Sequence, residues 1–148
     1  MALEDDVRNL ARNPTLAALD SEALRQLAVS AETRILRDGE VLFRRDEPSD
    51  GGYVIVSGAI ALESSDHGRA AHVVRAPTLI GDMALITKTR RPVTATAREP
   101  TAVLKISRQL FHRVLGDSPR SAERLKHMLS DRLLQFLQEL EGATQSET

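Results

Sequence analysis

The chain has no cysteine and no tryptophan, and its aromatic content is 3%, from three phenylalanines and one tyrosine. Without cysteine there is no disulfide, no thiol nucleophile, no iron–sulfur cluster and no thiolate-held zinc or haem. With so few rings, a core must be assembled from Leu, Val, Ile and Ala. An excess of charge is missing as well. Lys and Arg number 20 against 21 Asp and Glu, a net charge of −1, so no global field draws in nucleic acid or an acidic membrane. No apolar run is long enough to span a bilayer and no signal peptide is visible, so a soluble, cytoplasmic protein is expected. Internal repeats and low-complexity tracts are lacking too. What is present is ordinary for one globular domain with an appended helix: 148 residues, 41% hydrophobic and 28% charged.

The raw material of catalysis is equally thin. No Gly-x-Ser-x-Gly elbow and no ordered Ser/His/Asp set occurs. Of the four histidines, His67 falls in a turn, His72 in a strand, and His112 and His127 in helices. That scatter does not make a metal cage, and His72 reads as an ordinary half-buried residue. The expectation is a non-catalytic protein.

Periodicity divides the chain into three parts. Leu3 to Leu10 is weakly amphipathic and is broken by Asn13-Pro14. Asp20 or Ser21 then caps a second helix with Leu24, Leu27 and Ala28 on its apolar face. From Ala31 the period becomes that of strands: Thr33–Arg37, Glu40–Arg44, Tyr53–Val56, Ala59–Glu63 and Ala71–Arg75, with Val93–Ala97 and Thr101–Ile106 further on. Turn clusters separate them, at Asp38-Gly39, Asp46–Gly52, Ser57-Gly58, Ser65–Arg69 and Glu99-Pro100. Short strands at near-even spacing argue for a β-sandwich or jelly-roll barrel. Ser107 caps a helix that runs to Gly116, and a last helix runs from about Pro119 to Leu140. Ala122, Leu125, Leu129, Leu133, Phe136 and Leu140 follow three-and-four spacing on it, a face wider than a minimal coiled-coil seam. Such a face packs on its own domain or pairs with a second copy.

One stretch carries chemistry: Leu79 to Thr94, LIGDMALITKTRRPVT. Gly81 precedes a short apolar segment, Met83-Ala84-Leu85-Ile86, with Asp82 at its front; Arg90, Arg91 and Pro92 follow. A helix start leaves backbone N–H groups unpaired at the positive end of its dipole, which suits a phosphate. An arginine nearby can close on the same phosphate with its planar fork. A carboxylate repels a plain phosphate, so Asp82 makes sense beside a ligand that also offers a hydroxyl, such as a ribose 2′-OH. Together these residues point to a nucleotide with a single charge.

At this point the stretch resembles the phosphate-binding cassette of the cyclic nucleotide-binding domain family. The family includes catabolite-activator-type regulators, kinase regulatory subunits and gated channels. Ile80-Gly81-Asp82-Met83-Ala84-Leu85-Ile86 is similar to its F-G-E-x-A-L-x half, and Arg91 stands at the family's spacing from Gly81. Gly39-Glu40-Val41-Leu42-Phe43 and Tyr53-Val54-Ile55-Val56-Ser57-Gly58 look like its G-E-x-I-F and Y-x-I-x-x-G spine. The opening helix around Leu24–Ala28 is of a common family form. Asp46 fills a slot that is often Gly, which Asp tolerates because it accepts left-handed φ.

The resemblance implies a jelly-roll fold that binds a cyclic nucleotide, cAMP before cGMP. It implies Asp82 on the ribose, Arg91 on the phosphate, and the N–H groups of Met83 and Ala84 beside it, with Gly81, Pro92 and Val93 completing the site. It implies no prosthetic group or metal. The parts are then N-terminal helices (1–30), a β-roll (31–107) containing the cassette (79–94), C-terminal helices (108–141) and a polar tail (142–148). Two departures stand out. Asp82 replaces a Glu and is one methylene shorter. Pro92 stands where the family has Ala, Ser or Thr, which removes one N–H donor. In catabolite-activator-type relatives the last helix dimerises and covers the base. Here that implies a homodimer through residues 119–140 and signalling through this helix to an unidentified effector protein. A helix-turn-helix reader would need another small domain, so none is expected, nor is a membrane partner. Two readings follow: a cyclic nucleotide sensor, favoured by Arg91, or a degenerate fold that has lost its ligand and serves dimerisation or protein interaction, favoured by Asp82 and Pro92. The arginine pairs Arg44-Arg45 and Arg90-Arg91 read as surface charge under either.

Overall fold

The computed structural model describes residues 2–64 and 71–146. Helix α1 (Ala2–Ala11) ends where Asn13-Pro14 forbids its continuation. Asn13 is buried, and its Oδ1 accepts from the N–H groups of Thr15 (3.0 Å) and Leu16 (3.2 Å). Its Nδ2 donates to Pro77 O (3.1 Å), tying the helix break to a distant loop. After a 3-10 turn (Leu16–Ala18) comes α2 (Ser21–Ser30), capped by Asp20, whose side chain accepts from Ala23 N.

Among the described residues eight strands follow: β1 (Glu32–Leu36), β2 (Val41–Phe43), β3 (Gly51–Ser57), β4 (Ala59–Glu63), β5 (His72–Arg75), β6 (Leu79–Ile80), β7 (Thr94–Ala97) and β8 (Thr101–Ser107). A short helix, α3 (Asp82–Ile86), lies between β6 and β7. Helices α4 (Arg108–Gly116) and α5 (Pro119–Ser146) close the chain. The strands make two four-stranded sheets, β1-β8-β3-β6 and β2-β7-β4-β5, with antiparallel pairing throughout. The jelly-roll reading holds as a sandwich; the sheets do not close into a barrel. β6 went unread in the sequence because two residues carry no period. They are a strand only because Ile80 and Leu79 pair with Tyr53 and Val54.

Two cores share β3 and β8. Tyr53, Ile55 and Val103 face the other sheet and pack with Phe43, Ile60, Ile80 and Ala95. Val54, Leu104 and Ile106, on the opposite face of the same strands, pack under the helices with Leu10, Leu27, Leu85 and Phe111. This explains the unbroken apolar run of β3, which is covered on both faces. Asp46 adopts φ +71° in the turn after β2, as its side chain permits.

α5 docks through its first turns. Ser121 and Leu125 are buried, and Met128 and Leu129 pack against the helical core. Beyond them Leu134, Leu137 and Leu140 are exposed. The side chains of Leu133 and Phe136, His67 with the Ser65–Arg69 turn, and residues 147–148 of the expected tail lie outside the described residues. His72 is exposed rather than half-buried: it shares a face with Val74 but stands at the start of β5, an edge strand. Among the described residues no helix is long and apolar enough to cross a membrane.

Asp20 joins the two ends of the chain. Ser118 Oγ donates to its Oδ2 (2.9 Å), and its own N–H donates to Ser121 Oγ (2.8 Å). The Ala23 N–H, and after it Ser118, hold the Asp20 carboxyl below the usual carboxylate range. A pKa lowered by folding stabilises the native state fully above the unfolded-state value of about 4, and the contribution fades as pH falls through the folded value. The midpoint of thermal unfolding is therefore expected to drop below about pH 4. Asp20→Asn, which keeps a cap acceptor but does not titrate, should flatten that drop. An unchanged slope in the Asn variant would remove Asp20 from the account.

Candidate functional site

The cassette folds around Gly81. Its φ of +84° lies in the left-handed region, and it serves as the N-cap of α3. A Cβ built there would meet Arg91 Nη1 at 2.7 Å and Gly51 O at 3.4 Å. Glycine is thus required twice, by conformation and by the arginine that crosses it.

Arg91 is 4% exposed. Its guanidinium carbon lies 4.3 Å from the Phe43 ring centroid and 5.5 Å from that of Tyr53, so it sits in the seam between the sheets. Nη2 faces Asp50 Oδ1 at 3.8 Å, longer than a hydrogen bond, and Asp50 Oδ2 is taken by Lys105 Nζ at 2.8 Å. Burial pushes the Arg91 pKa down, opposed by Tyr53, Asp50 and Glu47, and the nearby Arg108 adds to the lowering. Arginine stays charged all the same. Asp50 is held below the usual carboxylate range by its hydrogen bond from Lys105 first, against its own partial burial, and by the charges of Lys105 and Arg91.

The cost of burying the cation and the returns from its neighbours are of similar size. Desolvating a cation costs several kcal/mol. A pair with a carboxylate as exposed as Asp50, at 65%, returns no more than about 1 kcal/mol. Two ring faces add about 2 kcal/mol when dry. Among the described residues no side-chain nitrogen or oxygen is both buried and without a partner, and an anion placed on the guanidinium would add a charge-assisted hydrogen bond to this set.

The backbone around Arg91 is braced in advance. Ser49 N donates to Thr89 O (2.9 Å), Arg91 N to Glu47 O (2.8 Å) and Asp46 N to Arg91 O (2.8 Å). Ser49 Oγ donates to Thr89 O (2.8 Å), and Arg45 N donates to Thr94 Oγ1 (2.9 Å). The loop between β2 and β3 and the loop that carries Arg91 thus form one small ladder.

The expected site residues fall into two groups. Gly81 and Arg91 are in direct juxtaposition. The two N–H groups expected to face a phosphate are engaged locally: Met83 N donates to Asp82 Oδ1 (2.8 Å) and Ala84 N to Gly81 O (3.0 Å). Asp82 lines a depression with Asn13, Thr15, Pro77 and Thr78. Pro92 is exposed and Val93 packs on the inter-sheet core. Surface charge describes Arg44 and Arg90, which are exposed, but not the buried Arg91. Sequence reasoning missed Asp50 as the counter-ion and Phe43 and Tyr53 as the rings beneath the cation. In the sequence Asp50 reads as a turn residue and the two rings as fold-specifying spine. Among the described residues no group of three or more His, Asp and Glu side chains is placed to hold a metal.

Comparison with known proteins agrees with this geometry. The family model described as the cyclic nucleotide-binding domain matches residues 33–118, more than half of the chain. A cyclic nucleotide-binding-like protein from Brucella abortus is 39% identical, with a TM-score of 0.69, over 76% of this chain and 98% of that one. The N-terminal domain of a transcriptional regulator from Streptomyces coelicolor A3(2) is 30% identical, with a TM-score of 0.81, over 89% of this chain and 94% of that one. The cAMP-dependent protein kinase regulatory subunit of Dictyostelium discoideum is 33% identical over 97 residues, 61% of this chain. The match spans only 29% of that relative's own length. A left-handed glycine ahead of a one-turn helix, and a buried arginine crossing it from a braced loop, accord with these matches: the chain belongs to the cyclic nucleotide-binding domain family.

Proposed function

We propose that this domain is a non-catalytic, cytoplasmic sensor that takes a cyclic nucleotide, cAMP ahead of cGMP, with its singly charged phosphate on Arg91. The observation that carries the reading is the Arg91 guanidinium, 4% exposed, crossing Gly81 and facing one carboxylate at 3.8 Å, longer than a hydrogen bond. The phosphate replaces Asp50 on Arg91, and Asp50 keeps Lys105 as its partner. Asp82 turns from Met83 N to the ribose hydroxyl, and the amide so released faces the phosphate; Ala84 N joins it by exchanging its bond to Gly81 O for one to the phosphate. Gly81 leaves room for the arginine, and Pro92 and Val93 flank it. No prosthetic group or metal takes part.

The signal leaves through the helices. α3 packs on α4, and α4 on the start of α5. Nucleotide shifts α5 only to the extent that it binds one arrangement of these helices better than another. The exposed Leu134, Leu137 and Leu140 suit contact with a second copy or an effector protein. A second reading, a degenerate fold without ligand that serves dimerisation or protein interaction, is favoured by Pro92, which offers no N–H, and by the shorter reach of Asp82.

Calorimetric titration with cAMP and cGMP separates the two. Micromolar or tighter binding is expected, falling by about 100-fold or more in Arg91→Ala, as loss of a charge-assisted pair implies. No heat from folded wild-type protein with either nucleotide would sink the sensor reading. Gly81→Ala forces a left-handed alanine against Arg91 and is expected to cost stability, about 1–2 kcal/mol from conformation alone, as well as nucleotide affinity. Retention of wild-type stability and binding in that variant would contradict the role given to Gly81.

A further inference from the structure

We propose that Arg108 is a positioning residue for Arg91, a clasp that sets the anion site from α4; the affinity part of this proposal rests on the reading above. Ser107 caps α4, its Oγ accepting from Leu110 N at 3.1 Å, and this places Arg108 at the first helical position. From there one planar guanidinium holds two segments. Nε donates to Ala84 O (2.9 Å) in the last turn of α3. Nη2 donates to Ser49 O (2.7 Å) and Ser49 Oγ (3.1 Å). Ala84 O is one of the carbonyls that a helix C-terminus leaves without an intrahelical partner, and it favours a cation. One turn further along α4, His112 Nε2 lies 2.9 Å from Ile86 O, a second such carbonyl. α4 thus caps the end of the cassette helix at two points.

The path continues to the site. Ser49 is buried, and its Oγ also donates to Thr89 O (2.8 Å) and accepts from Thr89 N (3.3 Å). Thr89 stands two residues before Arg91 on the braced loop. Arg108 therefore fixes α3, with Gly81 at its head, relative to the loop that supplies the guanidinium. A displacement of α4 moves both halves of the cassette, and a ligand that draws the halves together moves α4.

Arg108 is also a second positive charge near Arg91, so its role as a clasp has to be separated from a contribution of charge. A lysine keeps the charge but cannot span two acceptor groups with a fixed fork. The test compares Arg108→Lys, Arg108→Gln and Ser49→Ala by amide hydrogen exchange of the nucleotide-free protein, followed by cAMP titration. All three variants are expected to speed exchange at the Ser49, Thr89 and Arg91 amides by about tenfold or more, with the β1–β8 ladder unchanged. Both Arg108 variants are expected to weaken cAMP by about tenfold, and Ser49→Ala added to Arg108→Gln should add little, as for residues on one path. Wild-type exchange in Arg108→Lys would overturn the clasp in favour of charge. Faster exchange across the β1–β8 ladder as well would reduce Arg108 to general stability and equally overturn it. The exchange arm needs no nucleotide, so it reads the clasp even if the protein takes no ligand.

Discussion

The constraint on which the rest of the site depends is the burial of one guanidinium. Arg91 leaves the surface, passes over Gly81 and lies against Phe43 and Tyr53, one ring from each sheet. A cation in that position needs a glycine beneath it, rings beside it and a loop stiff enough to keep it there. The structure supplies all three. It supplies little negative charge in return, since Asp50 is mostly in water and already holds Lys105. A protein selected for stability alone would gain from a hydrophobic side chain at this point. The domain keeps a charge there instead, in a family named for binding a charged ligand.

The helices rest on the same strands as the site. β3 and β8 are packed on both faces, so the inter-sheet seam that holds Arg91 and the helical core that holds Phe111 and Leu125 share the same two strands. α3 lies across this boundary, with Leu85 in the helical core and Gly81 at the seam. Arg108 then ties α3 to the loop ladder through Ser49. Asp20 and Ser118 tie the N-terminal helices to the start of α5.

Much of this was legible in the chain because it rests on short-range rules. Gly39, Gly58 and Gly81 take positive φ where turns require it, and Asp46 does the same where the slot tolerates Asp. Asp20 and Ser107 cap the helices they precede. The resemblance singles out Gly81 and Arg91, and the structure brings these two together. What stayed hidden were pairings between distant residues: Asp50 with Arg91, Arg108 with Ser49, and the rings of Phe43 and Tyr53 with the cation. Phe43 and Tyr53 carried a full explanation as strand residues, so nothing in the pattern asked for a second role. β6 was missed because it exists only through its partner strand.

The sequence by itself determined the class of the domain and the order of its elements apart from β6, and it singled out the stretch that carries Gly81 and Arg91. These follow from periodicity, turn chemistry and capping, all of which act over a few residues. Only the tertiary structure decided that Arg91 is buried while its neighbour Arg90 is exposed, that Asp50 is its counter-ion, and that Met83 N is already engaged by Asp82. Burial and ion pairing depend on which strands come to lie side by side, and on which groups that leaves without water. A string of residues does not carry that information until the two sheets have met.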